Sequence, residues 1–93
     1  MNSYESMVII PASLQKDEVE KENEKITQFI KENGGTVKET VDWKKRSLAY
    51  EIGDQKEGYY FINYFELPAN KIKELDRLYR LNENIIRYNI IKK

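Results

Sequence analysis

In this 93-residue chain the side chains that could do chemistry are carboxylates, lysines, arginines and aromatic rings, because histidine and cysteine are both absent. Without histidine, the commonest general base and transition-metal ligand are missing. Without cysteine there is no thiolate nucleophile, no disulfide and no Cys-ligated zinc. Paired carboxylates remain for acid–base work. The densest acidic run, Asp17, Glu18, Glu20, Glu22 and Glu24, falls on a helical pattern and reads as a solvated face. Gly34-Gly35 follows that helix instead of opening one, so it makes no phosphate cradle at a helix N-terminus. No nucleophile stands beside a base. The expectation is a non-enzyme with no metal, no cofactor and no small-molecule substrate.

Binding chemistry is more promising. Residues 43–52 read WKKRSLAYEI, with Lys44, Lys45 and Arg46 between a tryptophan and an apolar strand pattern. The cations can neutralise phosphates, and Trp43 can stack on a base or sugar. Equally, Trp43 can pack at a sheet edge while the cations keep that edge from pairing with another chain. A second stretch, GYYFINY at 58–64, approaches the aromatic octamer of RNA-recognition motifs. That motif would expose Tyr59 and Phe61. However, Tyr60 stands where it needs a small residue, Glu57 where it needs a cation, and MVII on the first strand offers no aromatic. The preferred reading buries Phe61, Phe65 and Leu67 and leaves Tyr60, Ile62 and Tyr64 on an open face, although it places Asn63 on the buried side.

Charge is balanced overall but not along the chain. Residues 1–34 carry 4 Lys and 7 acids, a net of −3, whereas residues 35–93 carry 12 Lys+Arg and 9 acids, a net of +3. The end, IIRYNIIKK, holds Arg87, Lys92 and Lys93 and no acid. A neutral protein can still bind a polyanion through one face. No apolar run approaches the roughly 20 residues of a membrane span, and MNSYESMVII has no basic region before its apolar stretch. The expected address is the cytoplasm.

These residues must be positioned by a few elements. Tyr4 to Ile10 reads as a strand stopped by Pro11. Ser13 is a candidate cap for a helix from about Leu14 to Asn33, with Val19, Ile26, Phe29 and Ile30 on its apolar stripe and Gly34-Gly35 ending it. Between 36 and 52 the apolar positions change parity, from Val37, Val41 and Trp43 to Leu48, Tyr50 and Ile52. A strand alternates strictly, so one extra residue at Lys44-Lys45-Arg46, a β-bulge, would reconcile the two sets; a break into two strands is the alternative. Gly53 to Gly58 reads as a turn and Tyr59 to Leu67 as an aromatic strand. Asn70 is a candidate cap for a helix carrying Ile72, Leu75 and Tyr79 and ending near Leu81 or Asn82. Ile85 to Ile91 is the last strand. The order predicts one domain over residues 1–93, an α+β, ferredoxin-like βαββαβ fold. Right-handed crossovers put both helices on one face of a four-stranded antiparallel sheet and leave the other face open to a partner.

With these segments placed, the chain resembles the family of the sixth protein of the bacterial small ribosomal subunit. The resemblance runs almost end to end. It begins with Tyr4-Glu5 and Pro11, then Gly34-Gly35 and Val37. Its most specific part is Trp43-x-Lys45-Arg46-x-Leu48-Ala49-Tyr50-x-Ile52. Gly58-Tyr59, Glu74-Leu75-Asp76-Arg77 and Ile85-Ile86-Arg87 follow. Lys44 stands where the family commonly has Gly, which implies a less strained or displaced bulge; Glu51 replaces a common Pro. Many members carry a tail past the last strand, whereas this sequence stops at Lys93. The resemblance implies no catalysis, and binding to the central domain of 16S ribosomal RNA together with the eighteenth small-subunit ribosomal protein. It implies Lys45, Arg46 and Arg87 as RNA-proximal; Lys44, Lys92 and Lys93 join them on charge, and Trp43 and Tyr50 match the motif without an assigned contact. The other expectations are a protein-interaction domain working through Tyr60, Ile62 and Tyr64 and, last, an acylphosphatase-like enzyme.

Overall fold

Alternation of apolar residues over 4–10 and 59–67 favours strands, and the 3- and 4-residue spacings of the two intervening segments favour helices. The computed structural model describes residues 1–52 and 55–93, and the side chains of 1–48 and 56–93. It contains β1 (Asn2–Pro11), α1 (Lys16–Glu32), β2 (Thr36–Ile52), β3 (Gln55–Leu67), α2 (Ile72–Leu81) and β4 (Arg87–Lys92); a 3-10 turn at Ala69–Lys71 leads into α2. The sheet order is β2-β3-β1-β4 with every neighbour antiparallel. This is the expected ferredoxin-like arrangement.

Even-numbered residues of β1 and odd-numbered residues of β3 face the helices. The core joins Tyr4, Val8 and Ile10 to Phe61, Phe65 and Leu67, and both to Val19, Ile26 and Ile30 of α1 and Leu75 and Tyr79 of α2. Fully burying each large aliphatic or aromatic side chain contributes roughly 1.5–3 kcal/mol. Tyr59 packs half-buried against this core and Phe61 is buried in it, so both lie on the helix side and not on the open face where that motif needs them. That removes the RNA-recognition-motif reading.

Two polar pairs are built into the core. The hydroxyls of Ser6 and Tyr79 are 2.8 Å apart. Burial pushes the Tyr79 phenol far above its usual range, only partly offset by Ser6, so it stays neutral. Asn63 accepts from the Thr40 hydroxyl at 2.7 Å and donates to Asn23 at 2.9 Å. The asparagine that counted against burying this face is thus satisfied from both sides. It also ties β2 and α1 to the central sheet.

The helix ends differ from expectation at their starts. Gln15 occupies the N-cap of α1 without a side-chain hydrogen bond, and Ser13 lies in the preceding turn. Asn70 sits inside the 3-10 turn, and Lys71 is the N-cap of α2, also without a side-chain bond. Asp17 and Glu18 do occupy the first turn of α1, where acids complement the dipole. At its C-terminus Gly34 adopts φ +83° and Gly35 donates to the Ile30 carbonyl at 2.8 Å. This left-handed stop is the one expected from the glycine pair.

The β2–β3 hairpin is longer than expected. Residues 55–58, read as part of a turn, lie in β3. Gly53 and Asp54 of that turn, and the side chains of Tyr50 and Ile52, fall outside the described residues. Glu22, read as part of a solvated acidic face, is buried.

Candidate nucleic-acid interface

The open face of the sheet is assembled by register. Residues opposite each other in an antiparallel pair share a face. One row crosses from Tyr60 through Ile9 to Arg87. The next runs Val41, Ile62, Met7 and Asn89, and the third Glu39, Tyr64, Glu5 and Ile91. The face therefore grades from a cationic and aromatic end, through an apolar middle, to an acidic and apolar end. Tyr60, Ile62 and Tyr64 lie on it, as the alternation predicts, although Ile62 and Ile9 are themselves largely covered by their neighbours.

The bulge in β2 completes the first row. Asp42 pairs with Phe61 and Lys45 with Tyr59, so Trp43 and Lys44 together oppose Tyr60. Strict alternation would put Trp43 and Arg46 on opposite faces, because they are three residues apart. The extra residue brings them to the same face. The Trp43 and Tyr60 rings stack with centroids 6.4 Å apart and planes at 23°. The Arg46 guanidinium carbon lies 5.6 Å from the Trp43 ring centroid, and Arg46 Nε donates to the Trp43 carbonyl at 3.0 Å. Trp43 remains 44% exposed. Arg46 lies opposite Gly58, where an added Cβ would meet Ile9 Cγ2 at 2.6 Å and Leu48 Cδ2 at 3.7 Å. Glycine there lets β1 and β2 side chains close over the row.

A second irregularity has no counterpart in the sequence pattern. The register also shifts between Val37 and Glu39. Val37 therefore packs against the helix-side core, while Val41 and Trp43 share the open face. The three do not form one apolar set. The bulge between 42 and 45 reconciles Val41 and Trp43 with the register beyond it.

Lys44 takes φ 65°. The bulge thus keeps a left-handed residue at 44 without glycine and is not relaxed. Its backbone N–H is held by Asp42 Oδ1 at 2.8 Å, and its ammonium lies 3.9 Å from Asp42 Oδ2. A left-handed conformation costs a non-glycine residue roughly 1–2 kcal/mol. Glycine relieves that cost but loses more chain entropy on folding, by about 0.5–1 kcal/mol. The exposed pair with Asp42 contributes little. Lys44→Gly is therefore expected to raise the unfolding free energy by about 0.5–1 kcal/mol in urea titrations. A decrease would mean that the left-handed backbone is not strained.

The candidate cations do not form one patch. Arg46 and Arg87 lie at opposite edges of the sheet, about 14 Å apart across three strand spacings, at the same end of the open face. Lys45 takes the register of Tyr59, on the helix side, and is exposed. Lys92 pairs with Tyr4 at the far end of β4, about 17 Å along the strand from Arg87. Lys93 Nζ lies 2.8 Å from Glu5 Oε1, and that bond raises the lysine pKa. Lys92 and Lys93 thus sit away from the Arg46–Arg87 end. Ile9, Met7 and Gly58 also belong to the face, and the sequence pattern does not single them out. Only the pairing register reveals them, since MVII reads the same on either face.

Among the described residues there is no group of three or more His, Cys, Asp or Glu placed to hold a metal, and no helix is long and apolar enough to cross a membrane.

Comparisons with known proteins agree with the fold. A family model described as ribosomal protein S6 matches residues 3–92. The small ribosomal subunit protein bS6 of Helicobacter acinonychis is 38% identical over 92 residues, which cover 99% of this chain and 65% of that protein. The chain thus spans somewhat under two thirds of that relative's length. The bS6 protein of Rickettsia prowazekii is 39% identical over 92 residues, covering 99% of this chain and 76% of its own length. The crystal structure of the 30S ribosomal protein S6 of Thermotoga maritima superposes with a TM-score of 0.94 at 31% identity, covering 99% of this chain and 87% of that one.

Proposed function

The chain belongs to the ribosomal protein S6 family, and from that premise we propose that it is a non-enzymatic structural constituent of the bacterial small ribosomal subunit, working in the cytoplasm as part of the ribosome. On this reading it binds the central domain of 16S ribosomal RNA together with the eighteenth small-subunit protein. The observation that carries the proposal is the family match over residues 3–92, which spans the bulge at Trp43–Arg46.

The open face supports a division of labour. Its Arg46–Arg87 end suits phosphates, and Lys44 and Lys45 beside the bulge add charge along the β2 edge. Phosphate contacts supply affinity and position without reading sequence. The apolar middle, with Ile62, Met7 and Val41, and the neighbouring Tyr60 and Tyr64 suit a protein partner. A sheet face of this kind buries apolar area on docking, while Glu39 at its far end favours a basic segment of that partner. Lys92 and Lys93 contribute less, because Lys93 already neutralises Glu5.

Formal net charge is zero, so the chain alone has weak long-range attraction for RNA. The heterodimer is expected to bind a central-domain RNA fragment far more tightly than this chain by itself. Titration of that fragment with and without the partner, across salt, tests the assignment. Absence of binding in both arms at low salt would overturn it. Replacing Lys44, Lys45 and Arg46 together by Ala is expected to flatten the dependence of log K on log salt by about one unit for each phosphate no longer neutralised. An unchanged slope would assign those cations to protection of the β2 edge.

A further inference from the structure

We propose that Trp43 is a positioning residue for Arg46 and not itself a platform for a nucleobase; this rests on the RNA-binding reading above. The Trp43 ring is already engaged twice, by the stacked Tyr60 ring and by the Arg46 guanidinium. Arg46 is fixed at a second point, where its Nε donates to the Trp43 carbonyl. Among the described residues its two Nη groups have no partner. They form the planar edge of the guanidinium that matches two oxygens of one phosphate.

An unsupported arginine on an exposed edge strand loses rotamer freedom on being ordered, enough to cancel the gain from a single exposed phosphate contact. Here the left-handed Lys44 brings Trp43 and Arg46 to one face, Gly58 opposite Arg46 lets Ile9 and Leu48 close in beside them, and the ring holds the guanidinium before any anion arrives. Ordering in advance favours binding by removing that cost. The ligand of the Trp43–Arg46 unit is therefore a phosphate of the RNA backbone, and its contact is electrostatic.

Salt dependence separates this from base stacking, because a stacked base releases no counterions. The experiment titrates the central-domain fragment of 16S ribosomal RNA, in the presence of the eighteenth small-subunit protein, with wild type, Trp43→Leu, Trp43→Tyr, Arg46→Ala and the Trp43→Leu/Arg46→Ala double variant. Trp43→Leu is expected to weaken binding about tenfold and to flatten the salt slope by about 0.7–0.9 unit, as Arg46→Ala does. The double variant should bind no more weakly than Arg46→Ala alone. Trp43→Tyr keeps a ring beneath the guanidinium and should retain the wild-type slope, which also shows that a flattened slope is not a folding defect.

A Trp43→Leu variant that binds more weakly with an unchanged slope, additively with Arg46→Ala, overturns the proposal in favour of base stacking. Equal affinity and slope for Trp43→Leu and wild type overturns it as well, leaving the ribosomal assignment standing. Absence of binding by wild type removes both.

Discussion

Gly35→Ala is expected to lower the unfolding free energy by about 3 kcal/mol, against about 1 kcal/mol for Gly34→Ala. The two glycines stand side by side and end the same helix, but for different physical reasons. Gly34 carries the left-handed φ of +83°, and an added Cβ there would meet nothing nearer than Pro68 Cγ at 3.9 Å. Its substitution costs only the backbone strain. Gly35 has no positive φ, yet its added Cβ would lie 2.4 Å from the Glu66 carbonyl oxygen, 2.8 Å from Ile30 Cγ2 and 3.0 Å from the Ile30 carbonyl oxygen. Two of these neighbours are backbone. Glu66 belongs to β3, and the Ile30 carbonyl accepts the Gly35 N–H that closes the helix. Accommodation requires the end of α1 to move off the sheet, and Ile30 is fully buried. Overpacking of this kind typically costs 1–3 kcal/mol, and loss of the closing hydrogen bond adds about 1. For a domain of this size the difference of about 2 kcal/mol corresponds to about 8–16 °C in Tm. Thermal unfolding of the two variants decides it. If Gly34→Ala proved the more destabilising, the close approach of helix end to sheet would be wrong.

Sequence pattern alone reads Gly34-Gly35 as a stop signal but does not distinguish the two roles. The same limit runs through the fold. Element order, sheet topology and the inward residues of β1 and β3 are legible because period-two and 3.6-residue patterns are local. The bulge near Lys44 is legible too, because it reverses parity over a few residues. Asn63 is not. It looks misplaced on a buried face until Thr40 and Asn23, distant in sequence, are brought to its amide. The register shift after Val37 is invisible for a related reason: Val37 and Val41 have the same parity, and only the pairing with Phe65 and Ile62 shows that they face opposite ways. The helix caps mislead because Ser13 and Asn70 are favourable cap types, yet the chain enters each helix one or two residues later through a turn. As for the candidate interface, the sequence names the cations but does not group them. Grouping needs the registers that place Arg87 in the row of Tyr60 and carry Lys92 and Lys93 to the other end.

Glu22 is the second position where a single change is expected to be severe, and the one that the acidic run of α1 most conceals. Its side chain is only 5% exposed. Oε1 accepts from Lys25 Nζ at 2.8 Å and from Asn84 Nδ2 at 3.1 Å, and Oε2 accepts from Asn82 Nδ2 at 2.9 Å. The Asn82 amide cannot turn round without loss, because its Oδ1 accepts the backbone N–H of Asn84. The carboxylate thus joins α1 to the link between α2 and β4, the strand that carries Arg87. Burial by itself raises the Glu22 pKa, but the hydrogen bonds from Lys25, Asn82 and Asn84 outweigh it, and the pKa falls below the ordinary value of 4.5. The unfolded chain therefore takes up this proton first as pH falls. The stability that Glu22 contributes is complete above about pH 4.5 and is lost progressively below it, as the pH drops through the folded pKa. Glu22→Gln presents an NH2 where a carboxylate oxygen received one, so a buried donor faces a donor. Its expected cost at pH 7 is about 2 kcal/mol, and Glu22→Ala, which orphans both asparagines, about 3. The measurement is urea unfolding of wild type and Glu22→Gln from pH 3 to pH 7. Their difference should shrink toward low pH, because the wild-type carboxyl becomes neutral there and also turns into a donor. A difference that stayed constant over that range would show that the carboxylate charge does not hold the α2–β4 link, and that Glu22 acts through packing alone.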